Sequence, residues 1–146
     1  MQPHRAYFGQ KDYQQFLLIS MLVNAMHFNL ELVLCPIVRE PGGLAMSSRN
    51  RRLTREQREK ATCLYHALEK ARAAILNGVE DANKITEMIA NTIINAGADL
   101  DYAIVADPET LDDVQKVDRK VVLAVAAVVD GVRLIDNFIV EPTESN

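Results

Sequence analysis

Within its first 38 residues the chain reads as strand, turn, helix, strand. A helix between two strands in about 30 residues is a crossover, and a crossover joins parallel strands. Arg5–Phe8 is a short, partly aromatic extended run punctuated by Gly9. From Lys11 to about His27 the spacing is helical, with Phe16, Ile19, Val23 and Met26 on one face and Leu18, Leu22 and Ala25 on a neighbouring one. A helix apolar over so much of its circumference is expected to be covered on several sides. Leu30–Cys35 is the second strand, ended by Pro36. Parallel sheets are normally covered on both faces and hold more than two strands. The further strands come either from the C-terminal part of this chain or from a larger α/β enzyme of which this is the second half, and the latter is the expectation taken forward.

The remainder has a different rhythm. Arg39–Leu53 is a polar loop containing Pro41, Gly42, Gly43 and four arginines, Arg39, Arg49, Arg51 and Arg52. Thr54, with Gln57 three residues on, forms a capping box that opens a helix to about Leu76. Its buried stripe is Ala61, Leu64, Tyr65, Leu68, Ala71 and Ile75, and Asn77-Gly78 stops it. Its charges read as a solvated face with a Glu56–Lys60 pair one turn apart. Glu80–Ala96 is a second amphipathic helix closed by Gly97. The period then becomes extended: Leu100–Ala106, Lys120–Val129 and Val132–Val140, the last two joined by the hairpin signal Asp130-Gly131.

The fold class expected is therefore α/β: the end of a Rossmann-like domain, then a small α+β domain of two helices and a three-stranded antiparallel sheet. The boundary is placed at 50/51, giving domains 1–50 and 51–146, with a frayed tail from Glu141 to Asn146. The chain has 146 residues, 49% hydrophobic and 25% charged, which excludes disorder and collagen-like repeats. A formal charge of −4 supplies no basic field for nucleic acid or an anionic membrane. The apolar run Phe16–Met26 is far short of the roughly 20 residues that cross a bilayer, so a cytoplasmic location is expected. Cys35 and Cys63 are too few for a disulfide framework or a cysteine zinc site and are expected to be reduced thiols. Asp99, Asp101 and Asp107 could suggest a metal cluster but read more simply as turn chemistry, so no residue is assigned to metal binding.

Two loops can carry chemistry. In Phe8-Gly9-Gln10-Lys11-Asp12 a strand gives way to a helix, where ligands of open α/β sheets bind. Gly9 would let a ligand approach the backbone, the helix start offers unpaired N–H groups, and Lys11 adds a positive charge. Asp12 could accept from ribose hydroxyls, and Gln15 lies one turn on. The same residues also serve as simple punctuation and solvation. In Gly42-Gly43-Leu44-Ala45-Met46-Ser47-Ser48-Arg49-Asn50, two hydroxyls and a guanidinium make a phosphate-binding set, and the glycines would permit closure over a nucleotide. A solvated, arginine-rich linker is the competing reading.

"FGQKDYQQ" followed by "VREPGGLAMSSRN" resembles the pantoate–β-alanine ligase (pantothenate synthetase) family of the nucleotidyltransferase superfamily, and "LDYAIVADPETL" and "GVRLIDN" resemble the same family's small domain. The resemblance runs from about Gln2 to Val140 and matches the later part of the family's sequence. It implies ATP-dependent condensation of pantoate with β-alanine through a pantoyl-adenylate, with ATP and Mg²⁺ as cofactors and release of AMP and pyrophosphate. It further implies that Gly9, Gln10, Lys11, Asp12 and Val38 line the ATP site, that Gln15 binds pantoate, and that Met46, Ser47, Ser48 and Arg49 form the loop holding the phosphates. Lys11, Ser47, Ser48 and Arg49 would stabilise charge developing on those phosphates. The two loops would then converge on one triphosphate from opposite sides of a cleft.

The sequence departs from the family's pattern. Gln10 stands where Glu is usual, Gly42 replaces a common acidic residue and Arg52 a common aromatic. The family's His-x-Gly-His motif is missing; His4, His27 and His66 have the wrong neighbours, and the latter two read as structural. The chain is accordingly expected to have little activity alone. The alternative is a non-catalytic truncated nucleotide-binding or interaction module. Small-molecule substrates are the expected partners, and an open sheet edge also predicts self-association.

Overall fold

The structure, a computed structural model, describes residues 3–143, and the chain divides into two compact units, residues 1–38 and 39–146. Residues 144–146 of the tail expected to fray lie outside the described residues.

In the first unit, strand β1 (Arg5–Gly9) leads through a 3-10 turn (Gln10–Asp12) into helix α1 (Tyr13–Ala25), which returns to strand β2 (Glu31–Cys35). The strands pair in parallel, from Arg5 opposite Glu31 to Gly9 opposite Cys35, so the expected crossover is present. Helix α1 ends in a Schellman motif: the His27 N–H donates to the Asn24 carbonyl and that of Phe28 to Val23. The motif requires a left-handed residue, and His27 takes it with φ 51°.

The surroundings of α1 differ from expectation. Only Tyr13 and Val23 are buried, while Leu18, Met21, Leu22 and Met26 are 54–65% exposed. Two strands about 4.8 Å apart give a helix only a narrow apolar seat, so one stripe is covered and the other is not.

The second unit holds helices α2 (Arg55–Ala61), α3 (Cys63–Leu76) and α4 (Ala82–Asn95), then strands β3 (Asp99–Ala106), β4 (Val121–Val129) and β5 (Val132–Val140). The strands form an antiparallel sheet in the order β3-β4-β5, as the pattern predicts. Asp130 and Gly131 both have positive φ, the two-residue turn that the Asp-Gly pair signals. Leu64, Leu68, Ala71 and Ile75 of α3 and Ile85, Ile89 and Ile93 of α4 meet Leu123, Val125 and Val129 of β4 in one buried core.

Three local expectations are revised. The single helix from Thr54 is two: the Thr62 hydroxyl donates to the Glu59 carbonyl at 2.6 Å, and α3 begins afresh at Cys63. Lys60 reaches not to Glu56 but to Asp130 at the hairpin, 3.3 Å away, and the pair one turn apart is Arg55–Glu59. The compact units part at Val38 and Arg39 rather than at 50/51, because the loop after Val38 packs into the second unit.

Candidate functional site

That loop is where the sequence most understates the structure. The chain turns back on itself between Arg39 and Ala45, which form a bridge, with the Glu40 N–H donating to the Leu44 carbonyl at 2.8 Å. Gly42 and Gly43 make the turn, at φ 96° and 102°. They are expected as a flexible hinge, but a Cβ on Gly43 would lie 2.1 Å from Cδ1 of Tyr65, so this glycine is a packed contact. Leu44 and Ala45 are buried in the unit, which removes the reading of a merely solvated linker.

Arg39 fastens the turn. Its guanidinium donates to both carboxylate oxygens of Asp136, at 2.7 and 2.9 Å, and to the Gly43 carbonyl at 2.9 Å. It also lies over the rings of Tyr65 and Phe138, 4.9 and 5.1 Å from their centroids. Asp136 alternates along β5 with Leu134 and Phe138, so it belongs to the core-facing set and is 3% exposed. A buried carboxylate needs such a partner. Sequence reasoning missed this pair, although an Asp on an otherwise apolar strand face was the available signal.

Beyond the turn, a 3-10 helix (Ser48–Arg52) carries Ser48 and Arg49 of the motif. Ser47 caps it, its hydroxyl accepting from the Arg49 N–H at 3.2 Å. Asn50 anchors it from beneath: the side-chain amide donates to Glu40 at 2.9 Å and to the Ala45 carbonyl at 3.1 Å. Asn50 is 2% exposed, and its Oδ1 is buried without a partner among the described residues. Arg58 of α2 closes the set on Glu40, at 3.2 and 3.3 Å from its two oxygens. Glu40 and Arg58 were not expected at the site, and Asn50, within the expected loop, was given no role there.

An open cleft of about 510 Å³ lies against this platform, lined by Met46, Ser47, Ser48, Asn50, Arg51 and Arg58 among others. Three of the four expected loop residues therefore meet at one surface. Arg49 does not line it; its guanidinium donates to the Arg133 carbonyl at 3.2 Å.

The other expected residues lie in the first unit. Gly9 ends β1, Gln10, Lys11 and Asp12 form the 3-10 turn, Gln15 is in the first turn of α1, and Val38 is the unit's last, exposed residue. Gly9 has φ −71°, and a Cβ there would meet nothing within 4 Å. The fold does not demand glycine at this position.

The remaining candidates resolve into structural roles. Asp101 sits at an irregularity of the β3–β4 pairing and accepts from Arg133 Nε at 2.9 Å. Asp107 accepts from the N–H groups of Glu109 and Thr110, at 2.8 and 3.2 Å, as turn chemistry predicts. These donors, chiefly the Glu109 N–H, with Arg119 nearby, hold its carboxyl below the usual carboxylate range. Cys63 is buried and its thiol is pushed up by desolvation, against a smaller pull from Lys60; Cys35 is half-buried, and both are free thiols. Among the described residues no cluster of three or more His, Cys, Asp or Glu side chains could hold a metal ion. Nor is any described helix long and apolar enough to cross a membrane.

The family model described as Pantoate-beta-alanine ligase matches residues 1–139. The pantothenate synthetase of Thermotoga neapolitana is 51% identical over 140 residues, covering 95% of this chain and 50% of that protein. That of Desulfatibacillum aliphaticivorans is 44% identical over 143 residues, covering 97% and 51%. Among solved structures, pantothenate synthetase from Thermus thermophilus superposes with a TM-score of 0.89 at 37% identity, over 95% of this chain and 50% of that one. A pantoate-beta-alanine ligase from Francisella tularensis, complexed with beta-gamma ATP and beta-alanine, gives a TM-score of 0.63 at 34% identity, over 93% and 43%. The chain spans about half the length of the curated relatives it matches.

Proposed function

The chain belongs to the pantoate-beta-alanine ligase family, and from that premise we propose that it carries the phosphate-handling part of an enzyme that condenses pantoate with β-alanine at the expense of ATP. The observation that carries the reading is the seated serine loop: Ser47 and Ser48 stand together on a cleft whose floor is tied down by Glu40, Asn50 and Arg58. Donors fixed before a substrate arrives cost no reorganisation when charge develops on a phosphate, and that preorganisation is the larger part of electrostatic catalysis.

The reaction would run through a pantoyl-adenylate. A pantoate carboxylate, already ionised at neutral pH, attacks the α-phosphorus of ATP, and the bond to pyrophosphate breaks. The amine of β-alanine then attacks the acyl carbon, and AMP leaves. Such a sequence asks little acid–base chemistry of the protein and much positioning. Lys11 would supply a cationic group and Ser47 and Ser48 short hydroxyl donors, whereas Arg49 would first have to release the Arg133 carbonyl that it now holds. Met46 and Val38 would flank the nucleotide, and Gln10, Asp12 and Gln15 would contact nucleotide and pantoate. Gly9, which the backbone does not require, leaves room for a ligand beside the turn. The relative from Francisella tularensis is complexed with beta-gamma ATP and beta-alanine, which supports ATP as the co-substrate. Among the described residues no cluster of three or more His, Cys, Asp or Glu side chains would hold Mg²⁺.

Because about half of the relatives' length is unmatched, low turnover by this chain alone is expected. Calorimetric titration with ATP tests the reading. Binding should be measurable in the natural sequence and weakened at least about tenfold by Lys11→Ala or Ser48→Ala. Heats indistinguishable among the three would remove the site. The second reading, a non-catalytic interaction module, is favoured by one observation, the uncovered apolar stripe of α1. It predicts weak ATP heat or none, unchanged by either substitution.

A further inference from the structure

The serine cleft contains a cation that neither the motif nor the comparisons single out. In a 3-10 helix, residues three apart stand on the same face. Ser48 and Arg51 are three apart in Ser48–Arg52, and both line the cleft. Arg49 and Arg52 form the adjacent row, and Arg49 is committed to the Arg133 carbonyl. Of the two guanidinium groups lining the cleft, Arg58 is paired with Glu40. Arg51 is exposed and makes no ion pair or hydrogen bond among the described residues.

A solvated guanidinium alone would be unremarkable surface charge. Here it shares a face with Ser48 above a floor held by buried hydrogen bonds, so an anion on the serine hydroxyls falls within its reach. Asn50, in the same lining, holds this face in place through its buried amide, which donates to Glu40 and to the Ala45 carbonyl. A guanidinium and a hydroxyl on one face suit a phosphate group, and the proposed ATP site supplies the nucleoside triphosphate that carries it. We infer that Arg51, acting with Ser48, is a direct phosphate-binding residue of this cleft, and that its ligand class is a nucleoside triphosphate.

The inference rests on the proposed ATP site, and the experiment separates the two. The full chain and its Arg51→Ala, Arg51→Lys and Arg52→Ala variants are titrated calorimetrically with ATP and with inorganic pyrophosphate. Arg52→Ala removes the same charge from the neighbouring row. Arg51→Ala should weaken both ligands at least about tenfold, Arg51→Lys should recover part of that loss, and Arg52→Ala should stay within about threefold of the natural sequence. Thermal unfolding of each variant confirms that an exposed substitution has left the fold intact. If ATP binds and Arg51→Ala behaves like Arg52→Ala, the inference is overturned while the nucleotide reading stands. Arg51-dependent binding of pyrophosphate without binding of ATP would keep Arg51 as an anion ligand and remove the nucleotide. Binding of neither ligand overturns both.

Discussion

Two glycines with nearly the same backbone separate two reasons for being glycine. Gly43 and Gly78 have φ of 102° and 94°, but a Cβ on Gly78 meets nothing whereas one on Gly43 strikes the Tyr65 ring. Gly78→Ala should therefore cost only the backbone strain, about 1 kcal/mol. Gly43→Ala adds overpacking against Tyr65 and should cost about 3 kcal/mol or more, and should loosen the serine loop as well. Denaturant unfolding of the two variants checks the difference; equal losses would mean that Tyr65 moves aside freely. Arg39 and Asp136 form the other residue-scale determinant. Removing one partner of a buried pair leaves the other charge stranded, so Asp136→Ala should cost about 3–5 kcal/mol, against about 1 kcal/mol or less for the exposed Arg133–Asp101 pair. The two thiols offer a simpler contrast. Burial raises Cys63 and shields it, so a thiol reagent should modify Cys35 first and Cys63 only on unfolding.

Elements show why some of this architecture was legible in the sequence and some was not. The three strands of the second unit, the β4–β5 turn and the capping box at Thr54 follow from local rules: two-residue alternation, an Asp-Gly pair, and a threonine three residues before a glutamine. The break at Thr62 and the seat of the 39–53 loop follow from tertiary partners. Glu40, Asn50 and Arg58 are polar residues in a polar stretch, and nothing in their spacing marks them as one network. The cleft-lining residues Met46–Ser48 were legible through a motif, whereas the direction taken by Arg49 depends on a strand more than eighty residues later. The long connection between β3 and β4 shows a local rule with a pH consequence. Asp107 organises its first turn, and its carboxyl titrates below the usual value because the Glu109 N–H, above all, favours the charged form. A carboxylate with a depressed folded pKa stabilises the fold above its unfolded pKa and loses that contribution as the pH falls through the folded value. The destabilisation of Asp107→Asn relative to the natural sequence should thus be full near neutrality and shrink as the pH drops below about 4. Thermal unfolding across that range checks it, and a gap that widens on acidification would reverse the assignment.

At the scale of the whole molecule the two units are unequal in how well they satisfy their own apolar surface. The second buries branched side chains of α3, α4 and β4 in one cluster, each worth about 1.5–3 kcal/mol on burial. The first has Tyr7, Leu18, Met21, Leu22, Met26 and Phe28 more than half exposed around a two-stranded parallel sheet. Such a contiguous apolar stripe on a helix is an association surface, and unpaired strand edges add to it. The chain should therefore self-associate in a concentration-dependent way. The residues responsible should be those of the α1 stripe rather than any on the second unit. Light scattering across a dilution series measures the association, and Leu18→Glu with Leu22→Lys should shift the distribution toward monomer. These substitutions lie on exposed positions and place opposite charges one turn apart, so the helix itself is retained. Limited proteolysis supplies the complementary readout: the first unit should be cut while a fragment beginning near Arg39 persists, because opening is easiest where buried contacts are fewest. A monodisperse monomer at high concentration, resistant to protease along its whole length, would mean that the stripe of α1 is covered from within the chain.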